Sequence, residues 1–116
     1  MKRAARLDAN HHEIVRALEA VGARVQSLAS VGSGCPDLVV GWRRRNILLE
    51  VKDGAKIPSK RRLTPDEERW HRTWSGQVAI VHNVTEALHA IGLDAHAGPF
   101  AHVVRALAEE RERVGA

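Results

Sequence analysis

Two short apolar runs, separated by a brief polar connection, constrain the fold of this chain more than any other feature. Residues 38–40 (LVV) and 47–49 (ILL) each have the length and composition of a strand, and residues 42–46 (WRRRN) lie between them. Strands joined by so short a connection pair in antiparallel fashion. The sequence therefore predicts a β-hairpin with arginines at its tip.

The register of this hairpin depends on where its turn is centred. If the centre lies between Arg43 and Arg44, the residue numbers of each pair sum to 87, and Asp37 lies directly opposite Glu50. Cross-strand partners share a face, with Cβ atoms about 5 Å apart. Lys52 shares that face because it is two residues beyond Glu50. The sequence predicts two carboxylates and an ammonium group together on one face.

The other elements of the first half follow from periodicity and capping patterns. Apolar residues at helical spacing predict a first helix over about 9–20, with Asn10 as its N-cap and Glu13 completing a capping box. Alternation of apolar and polar residues predicts a strand over 23–28. Residues 52–63 are polar and basic, and we expect a loop there.

The second half contains a crossover helix, a strand and two more helices. Residues 64–67 (TPDE) begin a helix that should end near Gly76, and 77–82 reads as a buried strand. A short helix over 83–92 and an amphipathic helix over 99–113 follow. This order predicts an α/β fold with a mixed four-stranded sheet, in which a helical crossover follows three antiparallel strands.

Length and composition limit the kinds of protein that this chain can be. The 116 residues predict a single domain, with a core over about 10–92 and a C-terminal helical extension over about 93–116. No apolar run approaches the roughly 20 residues that cross a bilayer, and no secretory signal is evident, so we expect a cytoplasmic protein. The single cysteine, Cys35, excludes an internal disulfide and a cysteine-based metal site.

The net charge of +4 is concentrated in two basic clusters, one at the hairpin tip and one in the loop over 52–63. One explanation is that both clusters lie on solvated loops. The other, equally supported by charge alone, is that they contact a nucleic acid, because basic side chains displace the counterions condensed on its phosphates. A solvated turn likewise accounts for Ser33 and Ser59. The candidate nucleic-acid contacts are Ser33, Arg43, Arg44, Arg45, Lys56, Ser59, Lys60, Arg61 and Arg62.

The face that carries Asp37, Glu50 and Lys52 is a candidate metal site. Two carboxylates this close repel each other unless a cation lies between them, and Mg²⁺ takes one or two protein carboxylates with water and substrate phosphate. Lys52 would then orient or deprotonate a water, or hold the scissile phosphate. A surface salt-bridge cluster is the alternative. The interrupted apolar run and the basic loop that follows favour the metal site.

The same residues carry a family resemblance. Residues 36–37 (PD) and 50–52 (EVK), with twelve residues between them, resemble the signature of the PD-(D/E)xK nuclease superfamily. Over roughly 10–92 the chain looks like stand-alone VRR-NUC domains of phage and bacterial type, which are similar in outline to Holliday-junction resolvases. The segments that carry this wider resemblance are 34–41 (GCPDLVVG), 49–54 (LEVKDG) and 63–67 (LTPDE).

The resemblance implies a restriction-endonuclease-like core and a Mg²⁺- or Mn²⁺-dependent endonuclease with no small-molecule cofactor. Its substrate would be DNA in duplex, flap or junction form. The resemblance also implies that Asp37, Glu50 and the main-chain carbonyl of Val51 hold the metal, that Lys52 is the catalytic lysine, and that Glu13 adds an acidic group.

One departure from the family concerns the crossover helix. Members often carry glutamine where this chain has Glu67 and Glu68, and Glu67 also fits the capping box, so its role stays open. The histidines, His71 among them, show no metal-ligand spacing.

Two other functions compete with a nuclease. The chain could be a catalytically inactive nucleic-acid-binding module of the same fold, although retention of all three motif residues argues against this. It could also be a small interaction or structural protein whose last helix docks onto a partner. Because one such site cuts one strand, we expect a homodimer, with the last helix or the helix carrying Trp70 and Trp74 as its interface.

Overall fold

Four strands form one mixed sheet in the computed structural model, which describes residues 9–94 and 101–115. The elements in chain order are α1 (His11–Ala20), β1 (Arg24–Ser27), β2 (Leu38–Trp42), β3 (Arg45–Val51), α2 (Pro65–Thr73), β4 (Val78–Val81), α3 (Val84–Ala90) and α4 (Ala101–Gly115). The predicted order of elements and the α/β class are confirmed. A short 3₁₀ turn, Pro58–Lys60, lies in the loop before α2.

The strands lie in the order β1-β2-β3-β4. The first three pair antiparallel, and β4 runs parallel to β3 after the crossover through α2, as predicted. Leu38 pairs with Leu49, so the predicted register is confirmed. The predicted connection over 42–46 is too long, because Trp42 and Arg45 form the last pair of the two strands.

Only two residues therefore make the turn of the β2–β3 hairpin. Arg43 has a φ of 48° and Arg44 a φ of 65°. Positive φ at both central residues is the conformation of a type I′ turn, whose right-handed twist matches that of the strands. Non-glycine residues rarely adopt it, and Asn-Gly is the preferred pair.

The core lies between one face of the sheet and the helices α1 and α3. Alternate residues of β2 and β3 point to this face, and Glu50 lies on the other one. That other face is only partly covered, since Ile80 of β4 is 40% exposed. The largest fully buried apolar side chains are Ile14, Leu18, Leu38, Val40, Leu49, Val81, Leu88 and Ile91.

The start of α1 differs from the prediction. The helix begins at His11, and the Asn10 side chain makes no capping hydrogen bond, so the predicted capping box with Glu13 is wrong. Asn10 Nδ2 instead donates to the main-chain oxygens of Lys52 (3.2 Å) and His82 (2.8 Å). The amide is therefore committed to tying α1 to the ends of β3 and β4.

The caps of the next two helices agree with the prediction. Thr64 Oγ1 accepts from Glu67 N (3.2 Å) and Glu67 Oε1 accepts from Thr64 N (2.8 Å), which completes the capping box of α2. Asn83 Oδ1 accepts from Glu86 N (2.8 Å) at the start of α3. Helix α2 ends at Thr73 rather than near residue 76, because the next residue adopts extended backbone.

Helix α4 contacts α1 through a salt bridge between Arg16 and Glu110 (2.9 Å). Its predicted start at Pro99 lies outside the described residues. None of the described helices is long and apolar enough to cross a membrane.

Candidate active site

The open end of the β2–β3 hairpin brings Asp37, Glu50 and Lys52 together. The carboxyl groups of Asp37 and Glu50 share a hydrogen bond, and Asp37 Oδ2 also accepts from Val51 N (2.7 Å). Glu50 is 1% exposed, which is exceptional for a carboxylate. The second bond fixes the Asp37 side chain against the end of β3.

Burial away from water dominates the pKa of Glu50. Burial, with the hydrogen bond and charge of Asp37 and the charge of Glu67, raises the pKa of Glu50 to about 10, and Lys52 offsets this only in part. Glu50 Oε1 is buried and has no hydrogen-bond partner. A buried, unsatisfied carboxylate oxygen is costly unless something else binds it.

Lys52 is held by Glu67 on helix α2. Lys52 Nζ lies 2.7 Å from Glu67 Oε1, the same oxygen that accepts from Thr64 N in the capping box. Burial alone would lower the pKa of Lys52, but the hydrogen bond and charge of Glu67, helped by the two motif carboxylates, raise it. Lys52 is therefore an ammonium group at neutral pH. Glu67 serves both the helix cap and the lysine.

His71, one turn beyond Glu67 on α2, faces Glu50. Its Nε2 lies 3.6 Å from Glu50 Oε1, and this nitrogen is also buried without a hydrogen-bond partner. Burial, which outweighs the charge of Glu67, lowers the pKa of His71 and keeps the ring neutral at neutral pH. This residue was not predicted from the sequence. Its signal was the i,i+4 spacing from Glu67, which places both side chains on one helical face.

Gly34 explains why α2 lies over this site. It has a φ of +80°, and a β-carbon there would collide with the main-chain oxygen of Asp66 in the first turn of α2. The loop before β2 and the start of α2 therefore pack backbone against backbone. This contact brings Glu67 and His71 to the motif residues.

Glu13 lies in the first turn of α1. It lines a polar cleft of about 250 Å³ together with Asn10, Asp53, Arg61 and Glu86, and neither motif carboxylate lines that cleft. Within the described ranges, no three His, Cys, Asp or Glu side chains are arranged to hold a metal ion. A cation at the motif carboxylates would therefore need main-chain, water or phosphate oxygens as well, which is the usual coordination of Mg²⁺.

The hairpin-tip cluster lies at the far end of the hairpin from the carboxylates. Arg43 and Arg44 are exposed, and the six residue steps from Arg44 to Glu50 span about 20 Å at about 3.3 Å each. Arg45 has a structural contact, because it donates to the main-chain oxygen of Ile91 (2.9 Å) at the end of α3.

The second cluster follows Lys52 directly, at the site end of the sheet. Lys56, Ser59, Lys60 and Arg62 are exposed there, whereas Arg61 is half-buried and donates to the main-chain oxygen of Gly54 (3.1 Å). The remaining candidate, Ser33, is exposed in the loop beside Gly34.

No family model matches this chain, and no curated protein or solved structure is detectably similar to it. The geometry of the open hairpin end is therefore the basis for a functional conclusion. It combines two carboxyl groups in contact, an ammonium group and a neutral imidazole beside an exposed basic loop. Such a set can hold a hard cation and an anionic substrate.

Proposed function

We propose that this protein is a metal-dependent nuclease with a restriction-endonuclease-like core, which hydrolyses phosphodiester bonds in DNA. The observation that carries the proposal is the buried contact between the carboxyl groups of Asp37 and Glu50, with the Lys52 ammonium group beside them. Apolar residues at these positions would stabilise the sheet better, because a buried polar oxygen without a hydrogen bond opposes folding. Residues that weaken the fold in this way are expected at functional sites.

The balance of charge supports a divalent cation. Asp37, Glu50 and Glu67 are three acidic groups around one ammonium group, and the neighbouring imidazole is neutral. A phosphate diester would be repelled by this set when its carboxylates are ionised. Mg²⁺ or Mn²⁺ fits the donor set, with Asp37, Glu50 and the Val51 main-chain carbonyl as ligands. When bound, the ion would activate a water and stabilise charge on the phosphate.

The protein groups then have distinct roles. Asp37 is oriented by its bond from Val51 N, which holds its carboxyl group in place before substrate arrives. Because Glu67 keeps Lys52 protonated, Lys52 acts as a cation that binds the scissile phosphate and offsets its growing negative charge. It does not serve as the base that deprotonates the water.

The substrate and assembly follow from the surroundings of the site. The exposed basic residues of the loop over 52–63 continue from Lys52, and they suit phosphates on either side of the scissile bond. Duplex, flap and junction DNA all present such phosphates. One site cuts one strand, so symmetric cutting of a duplex or junction requires a homodimer.

The test is a cleavage assay on duplex, flap and four-way DNA with Mg²⁺, Mn²⁺ or a chelator. We expect cleavage only with metal, and a loss of about 100- to 1,000-fold in Lys52→Ala, the scale of removing one group that stabilises transition-state charge. Arg105→Ala, at an exposed position of α4, is the matched control and should retain full activity.

Other outcomes would favour the competing functions. Salt-dependent DNA binding that ignores metal, with no cleavage of any substrate, would indicate a binding module. Absence of both metal and DNA binding would indicate an interaction protein.

A further inference from the structure

Two buried polar atoms at the site face each other without a hydrogen bond. Glu50 Oε1 and His71 Nε2 are 3.6 Å apart, and neither has a hydrogen-bond partner. Native proteins pair the great majority of such atoms, so two unpaired ones in contact require an explanation. Their separation exceeds a normal N–H···O distance by about 0.7 Å.

We propose that His71 is a positioning residue for metal binding, an inference that rests on the proposed nuclease function. A divalent cation held by Asp37 and Glu50 would replace the hydrogen bond that the two carboxyl groups now share, and the proton of that bond would be released to solvent. The second oxygen of Glu50 then needs a donor, and His71 Nε2–H closes onto it. The hydrogen bond fixes Glu50 in the orientation that the ion requires, as outer partners of metal-bound carboxylates commonly do.

The placement of α2 makes this closure a small one. The backbone contact at Gly34, the capping box at Thr64 and the bond from Glu67 to Lys52 all anchor the first turns of the helix. His71 follows immediately and needs to move by less than 1 Å. Hydrogen bonds in active sites are often long before the ligand binds and shorten afterwards.

Direct ligation by the imidazole fits the structure less well. Across residues 9–94 and 101–115, no three His, Cys, Asp or Glu side chains are arranged around one metal position. Because Glu50 Oε1 faces His71 Nε2, Glu50 would hold the ion through its other oxygen. In that arrangement His71 donates a hydrogen bond to Glu50 and does not itself contact the ion.

The test is calorimetric titration of the full chain with Mn²⁺, without DNA. We expect His71→Ala to bind Mn²⁺ about 10- to 100-fold more weakly than wild type, the range seen when such outer partners are removed. His71→Gln should recover most of the affinity, because its amide N–H reaches the position of Nε2. His71→Asn is too short and should not. His89→Ala, at an exposed site in the last turn of α3, is the matched control and should bind normally.

Thermal unfolding in chelator separates positioning from a structural role. All four variants should unfold within a few degrees of wild type, because His71 Nε2 has no hydrogen bond to lose and His89 is exposed. If the alanine variant unfolds early, the comparison of His71→Gln with His71→Asn decides the question alone.

Three outcomes would overturn the inference. One is an unchanged Mn²⁺ affinity in His71→Ala, and another is equal weakening in the glutamine and asparagine variants. The third is a nitrogen coupling in the pulsed EPR spectrum of bound Mn²⁺ that disappears in His71→Ala, which would make the imidazole a ligand. All three require that the wild type binds Mn²⁺. A wild type that fails to bind would overturn the proposed function together with this inference.

Discussion

The two ends of the β2–β3 hairpin place charged residues in opposite environments. At the open end, Asp37 and Glu50 are in contact, Glu50 is almost wholly buried, and one of its oxygens is unpaired. At the closed end, Arg43 and Arg44 are exposed, and the unfavourable feature is their left-handed backbone. Both ends oppose folding, one through electrostatics and the other through conformation.

The difference shows which end the fold has to support. A buried carboxyl pair persists only where the surrounding structure holds it in place, and here β3, the loop at Gly34 and helix α2 all converge on it. The turn needs no such support, since solvent accommodates both arginine side chains. Substitutions at the open end should therefore affect folding and function together, whereas substitutions at the tip should separate them.

The largest expected effect comes from the glycine that lets α2 approach the open end. Gly34→Ala introduces a β-carbon at positive φ that collides with the main chain at Asp66. We expect the free energy of unfolding to fall by about 2–4 kcal/mol, because backbone cannot yield as a side chain does. Cleavage should fall as well, since Glu67 and His71 move with the helix. Chemical denaturation and the cleavage assay measure the two effects.

The control for this substitution lies near the closed end of the hairpin. Gly41→Ala, in β2, places its β-carbon where no atom lies within 4 Å. It should change stability by no more than about 0.5 kcal/mol. Equal effects of the two substitutions would remove the claim that α2 depends on Gly34.

A second prediction concerns how stability depends on pH in the absence of metal. Burial, followed by Asp37, raises the pKa of Glu50 to about 10, far above its ordinary value of 4.5. The native state therefore holds a proton that the unfolded state releases. The stability from this proton is complete below about pH 4.5 and declines as the pH rises towards 10.

Glu50→Gln removes this dependence because an amide does not ionise. In chelator, the free energy of unfolding of the variant, taken relative to that of wild type, should rise by on the order of 2 kcal/mol between pH 6 and pH 8. Urea titrations at both values measure the gain. Parallel stability curves for the two proteins would show that Glu50 is not the group that titrates.

The contents of the open end were only partly predictable from sequence. The register followed from the short arginine turn, and the alternation of a strand then placed Asp37, Glu50 and Lys52 on one face. These are local relations, fixed by neighbours in the chain. The same local logic correctly gave the capping box at Thr64.

The contribution of α2 could not be read in this way. Whether Glu67 and His71 reach the site depends on the path of a twelve-residue loop and on the close approach at Gly34, which are properties of the folded chain. The prediction for Asn10 failed for a related reason. Its amide nitrogen donates to the main chain of two strand ends, far away in sequence, and its own backbone is helical rather than extended, so the side chain does not cap the helix.

The smallest expected effect, at the closed end, tests the other half of the comparison. Arg43→Asn with Arg44→Gly places the preferred pair in the type I′ turn. Relief of two left-handed arginines should outweigh the cation–π contact of Arg43 with Trp42 and the added freedom of glycine in the unfolded chain. We expect a gain of about 1 kcal/mol in the free energy of unfolding, measured by denaturation.

The kcat for a short duplex should stay the same, because the tip lies about 20 Å from the carboxylates. Lysine at both positions, which keeps the charge and the strained backbone, should leave stability within about 0.5 kcal/mol of wild type. A loss of stability in the Asn-Gly variant would show that the arginines support the fold through contacts at the tip, and the contrast between the two ends would disappear.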